Sequence, residues 1–432
     1  MWHSPGTHYN RHVLSIRRFF NNPAIPQEYR LNFIHLYFDI AWFGILSGSA
    51  INFLNIYAAR LGASGFQIGL LGAMPAVVSL ILSIPAGNWL QTRRVGKAVF
   101  WTAVLSRLGY FLWIPLPWIF GNQGQIWSLV VITLAMGIPM CGLSLGFNAL
   151  FAAAVPTEWR ASVVGVRNVV QSLTFILASL GTGFILNHLP FPTGYQIVFG
   201  IGAFSAAMST FHLYFIRPHA EPAPKLNLNL MISSEEDAKK RLPVWRANLR
   251  LDIWRTPYRK ILLVLLGFHL AQYLALPLFA LYTVNELHLS DANIGLGNAL
   301  FYLTVLLGST QFSRMEHKMG HHKITGWGVI GMSIYPIAMA LSHTALHYYV
   351  LSIVGGFVWA AVAGAYANYL LERIPEDDRP SHLAWYNIIL NAAVLLGSLA
   401  GPFIAGYIGL GIAMIVFGIL RLLSGISILK WG

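Results

Sequence analysis

The sequence predicts an all-α, polytopic membrane protein with twelve transmembrane helices in two six-helix bundles related by a parallel repeat. Three observations predict it: an apolar composition, apolar stretches of roughly 20 residues recurring along the chain, and one long polar interruption near its middle. Of 432 residues, 56% are hydrophobic and 10% charged, with a mean hydropathy of +0.60, outside the balance of an ordinary soluble domain. Each stretch is long enough to cross a hydrocarbon core about 30 Å thick at about 1.5 Å per residue. A helix satisfies its own backbone polar groups there.

The spans read as 31–58, 66–91, 98–120, 125–153, 163–188, 195–216, 259–285, 292–313, 323–342, 347–371, 382–407 and 410–430. Ahead of them lies a basic leader, 1–30, with Arg11, Arg17, Arg18 and Arg30 and no apparent cleavable signal. The net charge of +13 would suggest nucleic acid in a soluble protein, but here the bases sit in short loops, where anionic lipid is the expected neighbour and nucleic acid is not. Alternate loops contain Arg93, Arg94 and Lys97, then Arg160, then Arg314, Lys318 and Lys323, then Arg373 and Arg379, whereas Arg60 stands alone among the others. By the positive-inside rule both termini are cytoplasmic, in a plasma (inner) membrane. The lone cysteine, Cys141, excludes an internal disulfide and reads as a buried structural thiol.

The connector 217–257 divides a first bundle, 31–216, from a second, 258–432. Within it, Ser234-Glu235-Glu236-Asp237 followed by Lys239, Lys240 and Arg241 has the charge order of a short capped helix. Trp245 and Trp254 among bases suit either a membrane-surface segment or a solvated tether.

The bundles repeat. Val155-Pro156-Thr157-Glu158-Trp159-Arg160-Ala161-Ser162 aligns without gaps to Ile374-Pro375-Glu376-Asp377-Asp378-Arg379-Pro380-Ser381, in a register that continues through Asn168/Asn387, Ser179/Ser398 and Phe184/Phe403. Ser64 and Ile68-Gly69-Leu70 match Ser290 and Ile294-Gly295-Leu296. Equivalent helices after six spans run in the same direction, so the repeat axis lies along the membrane normal.

This layout resembles the major facilitator superfamily of secondary transporters over residues 31 to 430. That family carries two glycines with an acid and bases between its second and third spans. Here Gly87-Asn88-Trp89-Leu90-Gln91-Thr92-Arg93-Arg94-Val95-Gly96-Lys97 keeps the glycines and bases but has Gln91 or Thr92 for the acid, while Arg314-Met315-Glu316-His317-Lys318-Met319-Gly320-His321-His322-Lys323 keeps Glu316. The resemblance implies a cytoplasmic gate built on Gly87, Arg93, Arg94, Gly96, Lys97, Glu316, Lys318, Gly320 and Lys323. Arg160 and Arg379 are expected to pair with Glu316 or with helix carboxyl ends. The fourth span has no basic residue and the fifth has no glycine-proline pair, so direction of transport is not implied.

Asp39 lies about nine residues into the first span. A carboxylate there must pair, face water or take up a proton. Two roles stay open: proton coupling, with His35 one turn away, or a fixed ion pair with Arg107 at similar depth. The family's cavity-lining spans supply Trp42, Asn52, His269, Gln272, Tyr273, Asn298, Tyr302, Trp359, Tyr366, Asn168, Gln171, Asn387 and Asn391. Such amides and aromatics hold cargo without a deep electrostatic trap, although each amide alone also suits a helix-to-helix hydrogen bond. Arg421 reads as snorkelling or as bonding within the second bundle. Gly44, Ser47 and Gly48 mark close packing or a break in the first span.

The expectation is a monomeric, alternating-access transporter of a small organic solute, neutral or cationic because buried bases look scarce, with protons as a possible co-solute. No cofactor or metal is implied. The alternative is a receptor, scaffold or assembly factor that kept the fold but no longer cycles; a membrane enzyme lacks a recognisable nucleophile or ligand set.

Overall fold

Runs of apolar residues with no water to serve their amides become long helices, and short capped turns separate them. The computed structural model describes residues 27–218, 250–375 and 378–432. The leader bases Arg11, Arg17 and Arg18, the expected connector helix with Trp245, and Glu376 and Asp377 lie outside the described residues. Twelve long helices are present among the described residues: α1 (Gln27–Arg60), α2 (Gly65–Gln91), α3 (Val95–Trp113), α4 (Asn122–Ala154), α5 (Thr157–His188), α6 (Thr193–Tyr214), α7 (Tyr258–Glu286), α8 (Asp291–Ser309), α9 (Phe312–Ala340), α10 (Ala345–Glu372), α11 (Arg379–Ile408) and α12 (Leu410–Trp431).

Among the described residues, ten of these are long and apolar enough to cross a membrane. The other two are α3, which carries Lys97 and Arg107, and α9, whose first part holds Arg314, Glu316 and Lys318. Gly320 breaks α9 with φ 74° and ψ 160°, a conformation without penalty only for glycine. The charges ahead of that break are why apolarity alone starts the ninth span at 323 although helix begins at Phe312. Equivalent helices start alike: Ser64 Oγ accepts from Gln67 N to cap α2, and Ser290 Oγ accepts from Asn293 N to cap α8. In α1 a π-turn spans Ser47–Ile51, and both Gly44 and Gly48 lie tight against α5, so the small residues serve packing at a local irregularity.

The two lobes share one packing scheme. In the first, α1 packs on α5 and α6, α4 on α2 and α3, and α3 on α6; in the second, α7 packs on α11 and α12, α10 on α8 and α9, and α9 on α12. The end of the connector belongs to the second lobe, where Trp254 packs edge-on against Trp385 with centroids 5.3 Å apart. Arg250 donates to Asp252 and Asp378, and its bond to Asp252 holds that carboxyl below its ordinary value.

Two main crossings join the lobes, α2 on α11 and α5 on α8, and the repeat relates them; α7 also touches α1 and α2. A Cβ on Gly69 would strike the carbonyl oxygen of Ser398, and one on Gly295 would come within 2.6 Å of the carbonyl oxygen of Ser179. Ser179 Oγ also donates to Gly295 O at 3.1 Å. At this same end Arg60 reaches from α1 to Asp291 on α8 at 3.0 Å and donates to Leu289 O at 2.5 Å. One turn further inward, Phe175 stacks on Tyr302 across the lobes at 3.7 Å.

Toward the other end the lobes part. On one stripe of α5, Ser179 and Phe175 are buried whereas Asn168 and Gly165 are exposed; on α11, Ser398 is buried and Asn387 exposed. Gly87, near the far end of α2, has nothing close to where its Cβ would stand. The structure is therefore closed at the Arg60 end and open at the end bearing Arg93, Arg94, Arg160, Lys318, Lys323 and Arg379.

Gly295→Leu should force the Arg60 end apart. In a Cys141→Ser background, Ala292→Cys, shielded here by Gly183, should react slowly with a maleimide and much faster once Gly295→Leu is added. An unchanged labelling rate would show that this glycine does not control the closure.

Candidate functional site

In the first lobe one carboxylate serves four helices. Asp39 on α1 is 4% exposed. Its Oδ1 accepts from Ser209 Oγ on α6 at 2.5 Å and lies 3.9 Å from Arg107 Nη2 on α3; its Oδ2 lies 3.4 Å from Arg167 Nη1 on α5. Arg167 also donates to Leu36 O at 3.0 Å and stands over the Phe147 ring, while Arg107 donates to Thr210 Oγ1 at 2.8 Å. Removing one member of such a buried set leaves uncompensated charge.

Arg107 is thus beside Asp39, and Arg167 is a second partner that sequence reasoning misses. A signal for it exists: an arginine five residues beyond Ser162, inside a span, needs an acid, and Asp39 lies in the same lobe. His35 instead turns to α6, where its Nδ1 lies 3.0 Å from Nδ1 of His212 and its ring stacks on Phe215. Trp42 meets Phe204 edge-on, and Asn52 buries an amide nitrogen with no partner among the described residues.

The second lobe holds two neighbouring polar sites. His269 Nε2 on α7 is hydrogen-bonded to Tyr366 Oη on α10 at 2.9 Å and to Tyr386 Oη on α11 at 3.2 Å, and the two tyrosines bond each other. Tyr273 lies one turn along α7 from the histidine. A separate cavity of about 340 Å³ gathers Gln272, Asn298, Tyr302 and Trp359 from the expected set, and adds Tyr335 and Arg421.

Arg421, midway along α12, is 3% exposed and does not snorkel. It donates to Met332 O and Gln272 O, each at 3.2 Å. Met332 O lies four residues before Pro336, which has no N–H to offer it, so the proline frees a carbonyl that the arginine takes. Three arginines, Arg107, Arg167 and Arg421, are buried with one acid, Asp39, among the described residues. The scarcity of buried bases on which a neutral or cationic cargo is expected does not hold in the structure.

Nearer the open end, Asn168 and Asn387 stand on exposed surfaces of α5 and α11; Gln171 is half-buried, and Asn391 Nδ2 donates to Asn387 O at 2.8 Å. Arg160 caps the end of α4 through Val155 O at 3.2 Å and Ala152 O at 2.6 Å. Glu316 meets His321 at 3.0 Å, a neighbour across the Gly320 break, in place of Arg160 or Arg379. Arg93, Arg94, Lys97, Lys318 and Lys323 are exposed, and Gly96 approaches Pro218.

The family model of the Major Facilitator Superfamily matches residues 37–282 and 261–431. The chain belongs to the Major Facilitator Superfamily. A multi-drug resistance efflux pump PmrA homolog of Lactococcus lactis subsp. lactis is 24% identical over 393 residues, 87% of this chain and 90% of the pump. The cis,cis-muconate transport protein of Acinetobacter baylyi is 23% identical over 385 residues, 86% of this chain and 87% of that protein. Among solved structures, the nucleoside transporter NupG superposes with a TM-score of 0.65 at 10% identity, covering 94% of this chain and 99% of NupG. The chain is accordingly a multi-pass membrane transporter, and its lobes are the two halves of the superfamily fold.

Asp39→Asn should destabilise the protein by about 3–5 kcal/mol, the range for breaking a buried pair, read as a lower apparent Tm in detergent. Adding Arg167→Gln should recover part of the loss. An unaltered Tm for Asp39→Asn alone would show that the carboxylate does not hold the lobe together.

Proposed function

We propose that the chain is a secondary transporter that moves a small organic solute by alternating access, coupled to protons, and performs no enzymatic chemistry. The observation that carries this reading is the repeat-related pair of glycine-to-carbonyl crossings at one end, set against lobes that separate at the other. A two-lobe body closed at a single end is half of a cycle, and the near-twofold repeat supplies the geometry for the other half. The bases gathered at the open end make it the cytoplasmic one by the positive-inside rule, so this conformation faces inward with both termini in the cytoplasm of a plasma-membrane protein. A monomer suffices, because both lobes come from one chain.

Relatives named for multi-drug efflux and for cis,cis-muconate transport agree on solute movement and differ on cargo. For protons, Asp39 is the buried acid available among the described residues. Protonating it would release Arg107 and Arg167, so coupling through this residue requires α1 to shift against α3 and α5 during the cycle. In liposomes, uptake should respond to an imposed pH gradient, and Asp39→Asn retaining full pH-driven uptake would remove this residue from the coupling.

The Arg60–Asp291 pair latches the closed end. Arg60→Ala should shift the population toward the opposite conformation, and the swap of Arg60→Asp with Asp291→Arg should restore it. With Asn168→Cys in a Cys141→Ser background, cytoplasmic labelling should fall in Arg60→Ala and return in the swap. A receptor or scaffold that no longer cycles would show the same labelling in all three.

A further inference from the structure

We propose that the cavity around Arg421 in the second lobe is a carboxylate site, and that the cargo is an organic anion with a flat, apolar body. The inference rests on the transport reading and adds to it the chemical class of the solute.

Arg421 is buried at the middle of α12, and its two hydrogen-bonded carbonyls, Met332 O and Gln272 O, offer partial charges against a full one. Its Nε is buried with no acceptor among the described residues. The described acids of this lobe, Asp252, Glu286, Asp291, Glu316, Glu372 and Asp378, all sit in loops or toward helix ends. In the other lobe Asp39 is already shared between Arg107 and Arg167. Buried charge is therefore balanced in neither lobe; Arg107 also borders a cavity, one with mostly apolar walls, but it already faces Asp39, whereas Arg421 borders a cavity with no acid in its lining.

The chemistry of that cavity is selective. A guanidinium presents donors in a planar fork that fits a carboxylate, and the free Nε leaves the side of the fork available. Tyr302, Tyr335 and Trp359 supply aromatic walls for a planar body, while Gln272 and Asn298 supply amides for a second polar group. The volume of about 340 Å³ suits a small organic molecule. Tyr302 also stacks on Phe175 of the first lobe, so an occupant here touches a ring that the lobe closure controls.

The test uses the full chain in nanodiscs of neutral phosphatidylcholine, with 2-naphthoate, benzoate and the isosteric 2-naphthamide as probes. Both carboxylates should raise the apparent Tm and quench tryptophan fluorescence, and the amide should do neither. Arg421→Gln should weaken carboxylate binding at least about tenfold, the loss of one charge-assisted contact, and Arg421→Lys should retain an intermediate affinity. The comparison of acid with amide on the unaltered protein stands even if Arg421→Gln does not fold. Equal binding of amide and acids, or no binding of either acid at millimolar concentration, would overturn the proposal. So would displacement of bound naphthoate by phosphatidylglycerol added to the nanodisc, which would assign the site to lipid. Carboxylate binding without flux in liposomes would defeat the transport reading and leave the site intact; flux of neutral solutes without carboxylate binding would do the reverse.

Discussion

Close backbone approach at two glycines is the constraint on which the rest depends. In lipid, apolar side chains gain little by leaving their solvent, so helices hold together through tight packing and hydrogen bonds. Gly69 against Ser398 and Gly295 against Ser179 bring α2 onto α11 and α5 onto α8 at equivalent places in the repeat. These two seams, the contacts of α7 with α1 and α2, and one ion pair, Arg60 with Asp291, join lobes of six helices each. Backbone packing at glycine leaves no buried charge unpaired when it parts, which suits a joint that must open.

Within each lobe the opposite holds. Asp39 ties α1 to α3, α5 and α6 through Arg107, Arg167 and Ser209, so the first lobe is held together as long as that carboxylate is ionised. The equivalent core of the second lobe contains no acid among the described residues and is built on His269, Tyr366 and Tyr386, with Arg421 beside its cavity. The repeat is thus symmetric in its packing and asymmetric in its chemistry. One half is stiffened by charge, and the other keeps polar groups with spare bonding capacity.

Much of the fold is legible in the sequence, for a physical reason. A bilayer imposes length and apolarity on each crossing, and loops between crossings must be polar, so twelve helices and the division between lobes stand out as apolar runs parted by one long polar gap. The repeat shows itself where loops constrain sequence, at Pro156 and Pro375. The site is less legible. A helix in lipid is apolar on its lipid face as well as on its packed face, so periodicity does not tell which way a residue points. Arg167 is therefore easily passed over beside Asn168, and Arg421 reads as reaching for the membrane surface when it points into its lobe. Gathering residues of α7, α8, α9, α10 and α12 around one cavity is a matter of tertiary arrangement that no local pattern encodes. His321 displaces the expected partners of Glu316 because the left-handed turn at Gly320 brings the histidine back toward the acid.

The carbonyl that Pro336 leaves free has a further consequence. It fixes where the fork of Arg421 is aimed, although the proline itself is absent from the cavity wall. Positions 336 and 421 are therefore coupled: an ordinary residue at the first would return Met332 O to its own helix and leave the cation with Gln272 O alone. Preference for one solute over another is then open to change from outside the chamber, through the backbone of a neighbouring helix.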